Sequence, residues 1–260
     1  MSGLNLSKKE LEFIKAYRYK TGGLTPLEVY VFDPFWTFIA NNLLPNWLAP
    51  NLMTLCGLLV PIAQLVVVGF LNPSFSEVMP MWVWLLCTFG LFWYQTVDAT
   101  DGKQARRTDN CSPLGQILDH NLDQISFTIF MCHVCAMLTV KDDVWRILAL
   151  TPGVMSAHYS IEYRTHFTGV HTLVVGFIGA TEQLCIVMAV TLWCAFSTGT
   201  NSFFLNEFTL PVLGFQTNYR DIIIFFSCVS GIHYNLENII RAFIEAKDKA
   251  YALGCLLPYL

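Results

Sequence analysis

Four aspartates, Asp98, Asp101, Asp119 and Asp123, recur at helical intervals in a short run that reads Asp-x2-Asp-Gly-x2-Ala-Arg-x8-Gly-x3-Asp-x3-Asp. Asp98 and Asp101 are three apart, and Asp119 and Asp123 are four apart, so each pair shares a face if its segment is helical. Carboxylates beside apolar spans are costly unless something offsets their charge. A divalent cation is the economical partner, because hard cations take oxygen ligands. The residues between the pairs add a second chemistry. Lys103 and Arg106 are spaced to meet one anion, and the Arg fork suits phosphate. Gly102, Ala105 and Gly115 keep the helix ends thin enough for a ligand to approach the backbone. Acids for metal, bases for phosphate and small residues for access together describe a site for a metal-bound diphosphate.

The elements that must position these groups are apolar. The 260 residues are 54% hydrophobic and 13% charged, with mean hydropathy +0.49, whereas a soluble domain carries about 25% charge. Six spans of nearly the ~20 residues needed to cross hydrocarbon are expected at Asn51–Leu71, Met81–Val97, Leu114–Val140, Val144–Tyr163, Leu173–Phe196 and Asp221–Ile240. Ser112-Pro113 reads as an N-cap and first helical residue opening the third span. Leu27–Leu48 is apolar but broken by Asp33, Pro34, Asn41, Asn42 and Pro45. With Tyr30, Trp36 and Trp47 it reads as an interfacial, amphipathic segment. The fold class is therefore an all-α integral membrane protein. Its expected parts are a cytosolic tail and interfacial helix over 1–48, a membrane domain over 49–250, and the start of a further helix over 251–260. The nine cysteines are scattered mostly through apolar runs, including Cys132 and Cys135, and read as small buried hydrophobes. His133 reads as a satisfied interior residue.

Basic residues orient the spans. With the N-terminus in the cytosol, Lys8, Lys9, Lys15, Arg18, Lys20, Lys103, Arg106, Arg107, Arg164, Arg241, Lys247 and Lys249 lie on that side. Only Lys141, Arg146 and Arg220 lie opposite, which fits the positive-inside bias. The acidic run then sits at the cytosolic ends of the second and third spans, where a hydrophilic nucleotide arrives without crossing lipid.

At every defining position the run resembles the signature of the CDP-alcohol phosphotransferases. The stretches Asp101-Gly-Lys-Gln-Ala-Arg-Arg-Thr108, Ser112-Pro-Leu-Gly115, Asp119-His120 and Trp47-Leu-Ala-Pro-Asn51, the last leading to Thr54, are similar to the eukaryotic choline/ethanolamine branch. Pro34-Phe-Trp36 and Tyr219-Arg-Asp221 lean toward ethanolamine. The resemblance implies transfer of phosphoethanolamine or phosphocholine from CDP-ethanolamine or CDP-choline to diacylglycerol or an alkyl-acylglycerol, with release of CMP. It implies that Asp98, Asp101, Asp119 and Asp123 hold two Mg²⁺ or Mn²⁺ ions, which would neutralise and orient the diphosphate. Asn51, Thr54, Gly102, Lys103, Ala105, Arg106 and Gly115 would line the CDP-alcohol pocket. For the general base, Asp123 is the usual family candidate, but a carboxylate held by cations is a weak base. His120, an imidazole of ordinary pKa near ~6.5, is better matched. Glu162 and Glu182 are candidates to face the ammonium head group. A multi-pass location in the endoplasmic reticulum or Golgi membrane and a homodimer are further expectations; nucleic acid is not an expected partner. Asn121 stands where relatives carry Gly, which would narrow the path of the acceptor hydroxyl. The chain looks short at its C-terminus, six spans against about ten in the family.

Three other functions compete: transfer to a different alcohol, an inactive or regulatory short isoform, and an ion-coupled transporter. Transporters place their carboxylates at the midplane in broken helices of repeated halves. Here the acids lie at helix ends beside a basic triplet, with no repeat.

Overall fold

The computed structural model describes residues 7–16, 20–141, 143–174, 178–197, 200–210 and 214–256. Helix α1 (Lys8–Ala16) precedes a short π-helical turn (Glu28–Phe32) that runs into α2 (Asp33–Asn42), with Pro34 in its first turn. The long helices follow: α3 (Pro50–Leu71), α4 (Met81–Arg107), α5 (Pro113–Leu138), α6 (Val144–Thr168) and α7 (Ala180–Phe196). A short α8 (Thr200–Leu205) and an antiparallel pair, β1 (Glu207–Thr209) with β2 (Gln216–Asn218), lead to α9 (Tyr219–Glu245) and α10 (Lys249–Cys255). That strand pair is a small addition to the all-helical expectation. Arg18 and residues 257–260 of the expected final helix lie outside the described residues.

Among the described residues, α3, α5 and α9 are each long and apolar enough to cross a membrane, and α7 is apolar but 17 residues long. Helices α4 and α6 are as long, 27 and 25 residues, but polar at one end. Those polar ends carry the candidate site. The expected fifth span is corrected: its helix starts at Ala180 rather than Leu173. Gly179 is the N-cap, and Glu182 reaches back to the Gly179 amide at 2.8 Å, a capping arrangement that sets where the helix can begin.

Helix α3 packs on α4 and α5, α4 also packs on α7, and α6 lies along α9. The core is graded. Val83, Trp84 and Cys87 of α4, Cys135, Ala136 and Leu138 of α5, and Cys194 of α7 fill the end far from the aspartates. Closer to them the filling turns aromatic, with Tyr94 and Phe130 at 5.1 Å between ring centroids. The cysteines Cys87, Cys135 and Cys194 are buried, as small hydrophobes. His133 is wholly buried, yet neither ring nitrogen finds a hydrogen bond, contrary to the expectation of a satisfied residue. Outward, α3 and α9 expose Leu59, Phe70, Phe225, Phe226 and Ile244, a surface suited to acyl chains.

Polar links hold the helices in register. Asn235 and Asn238 of α9 donate to Ser156 (2.8 Å) and Ser160 (3.3 Å) of α6, and Arg164 reaches Asn238 at 3.2 Å. At the opposite end Arg146 joins Asp143 and Asp221 while Arg220 reaches the Thr139 carbonyl, pinning the start of α9 to the turn between α5 and α6. The N-terminal segment is clasped to α7: Thr25 donates to Glu182, and Thr181 donates to Glu28 at 2.6 Å. Hydrogen bonds to charged groups contribute about 1.5–3 kcal/mol each.

Between α3 and α4, the fully buried Gln64 amide donates to the Leu86 carbonyl, lying directly against Gly90. A Cβ at residue 90 would occupy the space of that amide. Gly90→Ala is therefore expected to destabilise the bundle by about 1–3 kcal/mol, read as a lowered melting temperature in detergent. An unchanged melting temperature would show that Gln64 repacks freely.

Candidate active site

The acidic run folds as helix, short loop, helix. Helix α4 does not stop at the expected Val97 but continues through Asp98 and Asp101 to Arg107. The Asn110 amide donates to the Ala105 carbonyl, and Asp109 takes a left-handed φ of 56°, which turns the chain. Ser112 then caps α5 by accepting the Gly115 amide at 3.0 Å, with Pro113 in the first turn. The tight reversal sets the end of α4 against the start of α5. Residues far apart along the run become neighbours.

Carboxylate oxygens of Asp98, Asp119 and Asp123 come within 4.8 Å of one another. Asp101 is set slightly aside: it is 6% exposed and accepts the Thr54 hydroxyl at 2.5 Å. Tyr94, one helical turn before Asp98, donates to Asp123 at 2.7 Å. Asp119 Oδ1 is buried without a hydrogen-bond partner. An all-oxygen cluster with an orphaned carboxylate oxygen fits a hard divalent cation well, since an unpaired buried anion is otherwise very costly. Thr54, Gly57, Tyr94, Val97, Asp98, Leu122, Asp123 and Ser126 line a small cavity at this point.

The basic residues divide. Lys103 bonds Asp33 and, at 3.0 Å, the Thr37 hydroxyl of α2. Lys103 and Arg106 therefore do not face a common anion; the Asp33 carboxylate, overlooked in the sequence reading, draws Lys103 toward α2. Arg107 donates to the Asn41 and Leu44 carbonyls at the end of α2. Gln104, fully buried, ties the Pro45 and Leu48 carbonyls. Arg106 is exposed, its guanidinium lying over Gly102, where a Cβ would sit 3.5 Å away. Asn51 at the start of α3 faces Gly115: a Cβ there would lie 3.2 Å from Asn51 Oδ1. Ala105 lies in the last turn of α4.

His120, next to Asp119 in α5, turns its Nδ1 toward α6. Its Nδ1 lies 2.7 Å from Glu162 Oε1, and its ring centroid is 5.9 Å from His158 and 4.6 Å from His171. Glu162 thus meets both His120 and His171. Glu182, at the start of α7, caps that helix with its carboxylate and accepts Thr25. Asn121 is exposed and donates to the Ile117 carbonyl of its own helix, so it leaves the cavity open. Sequence reasoning missed Tyr94, Asp33 and His171. Tyr94 carried a signal, its i−4 spacing from Asp98; the other two are brought in by remote contacts.

The match of residues 47–230 to the family model for CDP-alcohol phosphatidyltransferase covers the helices that build this cluster. The chain belongs to that family, and with its apolar helices it is a multi-pass membrane protein. It is 33% identical over 240 residues to cholinephosphotransferase 1 of Homo sapiens, covering 89% of this chain and 56% of the relative. The Mus musculus protein of that name is also 33% identical, over 90% of this chain and 58% of its own length. The cholinephosphotransferase 1 of Saccharomyces cerevisiae is 35% identical over 63% of this chain and 42% of its own. The chain thus spans a little over half the length of its mammalian relatives.

Groups that orient ligands typically affect metal affinity about 10–100-fold. Tyr94→Phe should weaken Mn²⁺ binding by that order and Asp119→Asn by more, measured by electron paramagnetic resonance titration. Equal affinities in both variants and the parent would remove the aspartate cluster as the cation site.

Proposed function

We propose that this chain transfers phosphoethanolamine or phosphocholine from its CDP ester to the free hydroxyl of diacylglycerol or an alkyl-acylglycerol, yielding the phospholipid and CMP. The observation that carries the reading is the convergence of Asp98, Asp119 and Asp123 beside a histidine already held by a carboxylate. In the reaction the acceptor hydroxyl loses its proton, its oxygen bonds the β-phosphorus, and the bond from that phosphorus to the CMP oxygen breaks.

Asp98, Asp101, Asp119 and Asp123 are assigned to hold two Mg²⁺ or Mn²⁺ ions, which when bound neutralise the diphosphate and stabilise the leaving CMP oxygen. Thr54 orients Asp101 and Tyr94 orients Asp123 through their hydroxyls. Arg106 stands where it can grip a phosphate, and Gly102, Ala105, Asn51 and Gly115 border the nucleotide. Lys103 serves indirectly, by fastening α2 to the end of α4. With Nδ1 committed to Glu162, His120 takes the acceptor proton on Nε2, a geometry in which the carboxylate orients the imidazole and supports its protonated form. Asp123 is assigned as a ligand, since it already serves the aspartate cluster and Tyr94.

The positive-inside pattern supports a cytosol-facing site, and the resemblance supports the endoplasmic reticulum or Golgi membrane. Residues 1–48 would lie on the cytosolic surface and 49–250 would form the catalytic membrane domain; assembly as a homodimer follows the same resemblance. The relatives' names favour choline and the Pro34-Phe-Trp36 stretch leans to ethanolamine, so both donors belong in one test.

Purified chain with diacylglycerol, Mg²⁺ and both labelled CDP-alcohols in competition should release CMP and reveal the preferred head group. His120→Ala should lower turnover by about 10²–10⁴-fold while CDP-alcohol binding persists. Survival of turnover in that variant would exclude His120 as the base. Binding without CMP release in the parent chain would instead indicate a regulatory protein.

A further inference from the structure

The N-terminal segment lies before the region matched to the family model, residues 47–230, yet it touches the site. Residues Lys20–Gly22 run parallel to His171, in the connection between α6 and α7. The Gly22 amide donates to the His171 carbonyl at 2.6 Å, and the His171 amide donates to the Lys20 carbonyl at 2.9 Å. Contact here is close: a Cβ on Gly22 would sit 2.9 Å from Thr172 Oγ1 and 3.2 Å from its Cβ. A few residues on, Thr25 and Glu28 exchange bonds with Glu182 and Thr181 at the start of α7. Each glutamate also caps its own segment, Glu28 accepting the Thr25 amide at 2.9 Å and Glu182 the Gly179 amide at 2.8 Å. Thr25 is only 1% exposed at this junction. One strap therefore fastens the α6–α7 connection at both of its ends.

What the strap fixes is a side chain beside the proposed base. His171 is 4% exposed. Its Nδ1 lies 3.3 Å from Glu162 Oε1 and 3.3 Å from the Thr165 hydroxyl, and its ring lies 4.6 Å from that of His120, tilted by 32°. The same Glu162 oxygen stands 2.7 Å from His120 Nδ1. A carboxylate braced by two imidazoles has little freedom to swing. An imidazole stacked on one face is likewise restrained from rotating. Reactive groups must be held to within about 0.5 Å and 10–20° of the productive geometry.

Resting on the transfer reaction above, we propose that His171 is a positioning residue, locked by the N-terminal strap Lys20–Glu28, that holds Glu162 and hence His120 in working orientation. The strap acts on the reaction through these two side chains, and the nucleotide is gripped elsewhere, by the groups at the ends of α3, α4 and α5. Loss of His171 is thus expected to reduce the rate of transfer more than the affinity for the donor.

Steady-state kinetics on the full chain in lipid nanodiscs with Mg²⁺ tests this, using His171→Ala, His171→Gln and Gly22→Val. His171→Ala should lower kcat about tenfold to a hundredfold, as expected for a misplacement near 1 Å. Its KM for the CDP-alcohol should stay within about twofold, since ground-state donor binding is not removed, and its melting temperature should hold. His171→Gln, which keeps an N–H toward Glu162, should recover much of the rate. Gly22→Val, whose side chain wedges the strap off Thr172, should lower kcat in the same sense and raise hydrogen exchange at the His171 amide. A His171→Ala enzyme with parental kcat, or one whose losses follow a fallen melting temperature without rescue by Gln, would overturn the proposal. If the parent chain releases no CMP from either donor, the reaction assigned above fails, and the positioning role built on it is overturned too. The exchange measurement tells that failure from a faulty strap: unchanged exchange at His171 in Gly22→Val means that the strap does not hold this residue.

Discussion

Packing four carboxylates at the end of an apolar helix bundle is the constraint on which the rest of this structure depends. Three of them converge within 4.8 Å, and like charges that close cannot be sustained without compensation. Among the described residues, the three cations of the same run do not supply it. Lys103 and Arg107 are drawn away to α2, and Arg106 lies out over Gly102. Hydroxyls take a modest share, from Thr54 to Asp101 and from Tyr94 to Asp123. The remaining charge is left for a ligand to meet, which is the property a metal-dependent diphosphate site needs.

The other features follow from holding that charge in place. Helices α4 and α5 bring the aspartates together at one end, while α3, α5 and α9 keep long apolar stretches. The far end compensates with a dense apolar core and with the ion network around Arg146 and Asp221. The α2 segment is fastened to the end of α4 through Lys103, Gln104 and Arg107, so it braces the helix that carries Asp98 and Asp101. The Thr25–Glu182 and Thr181–Glu28 clasp does the corresponding service for the α6–α7 connection.

Reading the residues in order recovered most of the long helices because hydrophobic length and caps are local signals. Ser112-Pro113 opened α5 where expected, and the apolar run after Asn51 became α3. The fifth span was placed too early, since Leu173 and Val174 continue the apolar composition but the capping pair Gly179–Glu182 decides the start. Glu162 and Glu182 were expected opposite the ammonium head group, and an acid near lipid, such as Glu182, is costly. What offsets that cost was not legible, because the partners His171 and Thr25 are distant in the chain or unremarkable in type.

The sequence by itself determined the kind of chemistry: oxygen ligands at helical spacing, glycines beside them, an adjacent histidine and apolar spans to carry them to a membrane edge. These are local in the chain, so residue type and interval suffice to reveal them. Only the tertiary structure decided how the roles are divided. It set Asp101 on Thr54, turned Lys103 to Asp33, gave Asp123 to Tyr94, and placed Glu162 between His120 and His171. Each depends on which helices pack together, and that follows from the summed burial of whole faces rather than from any short pattern of residues.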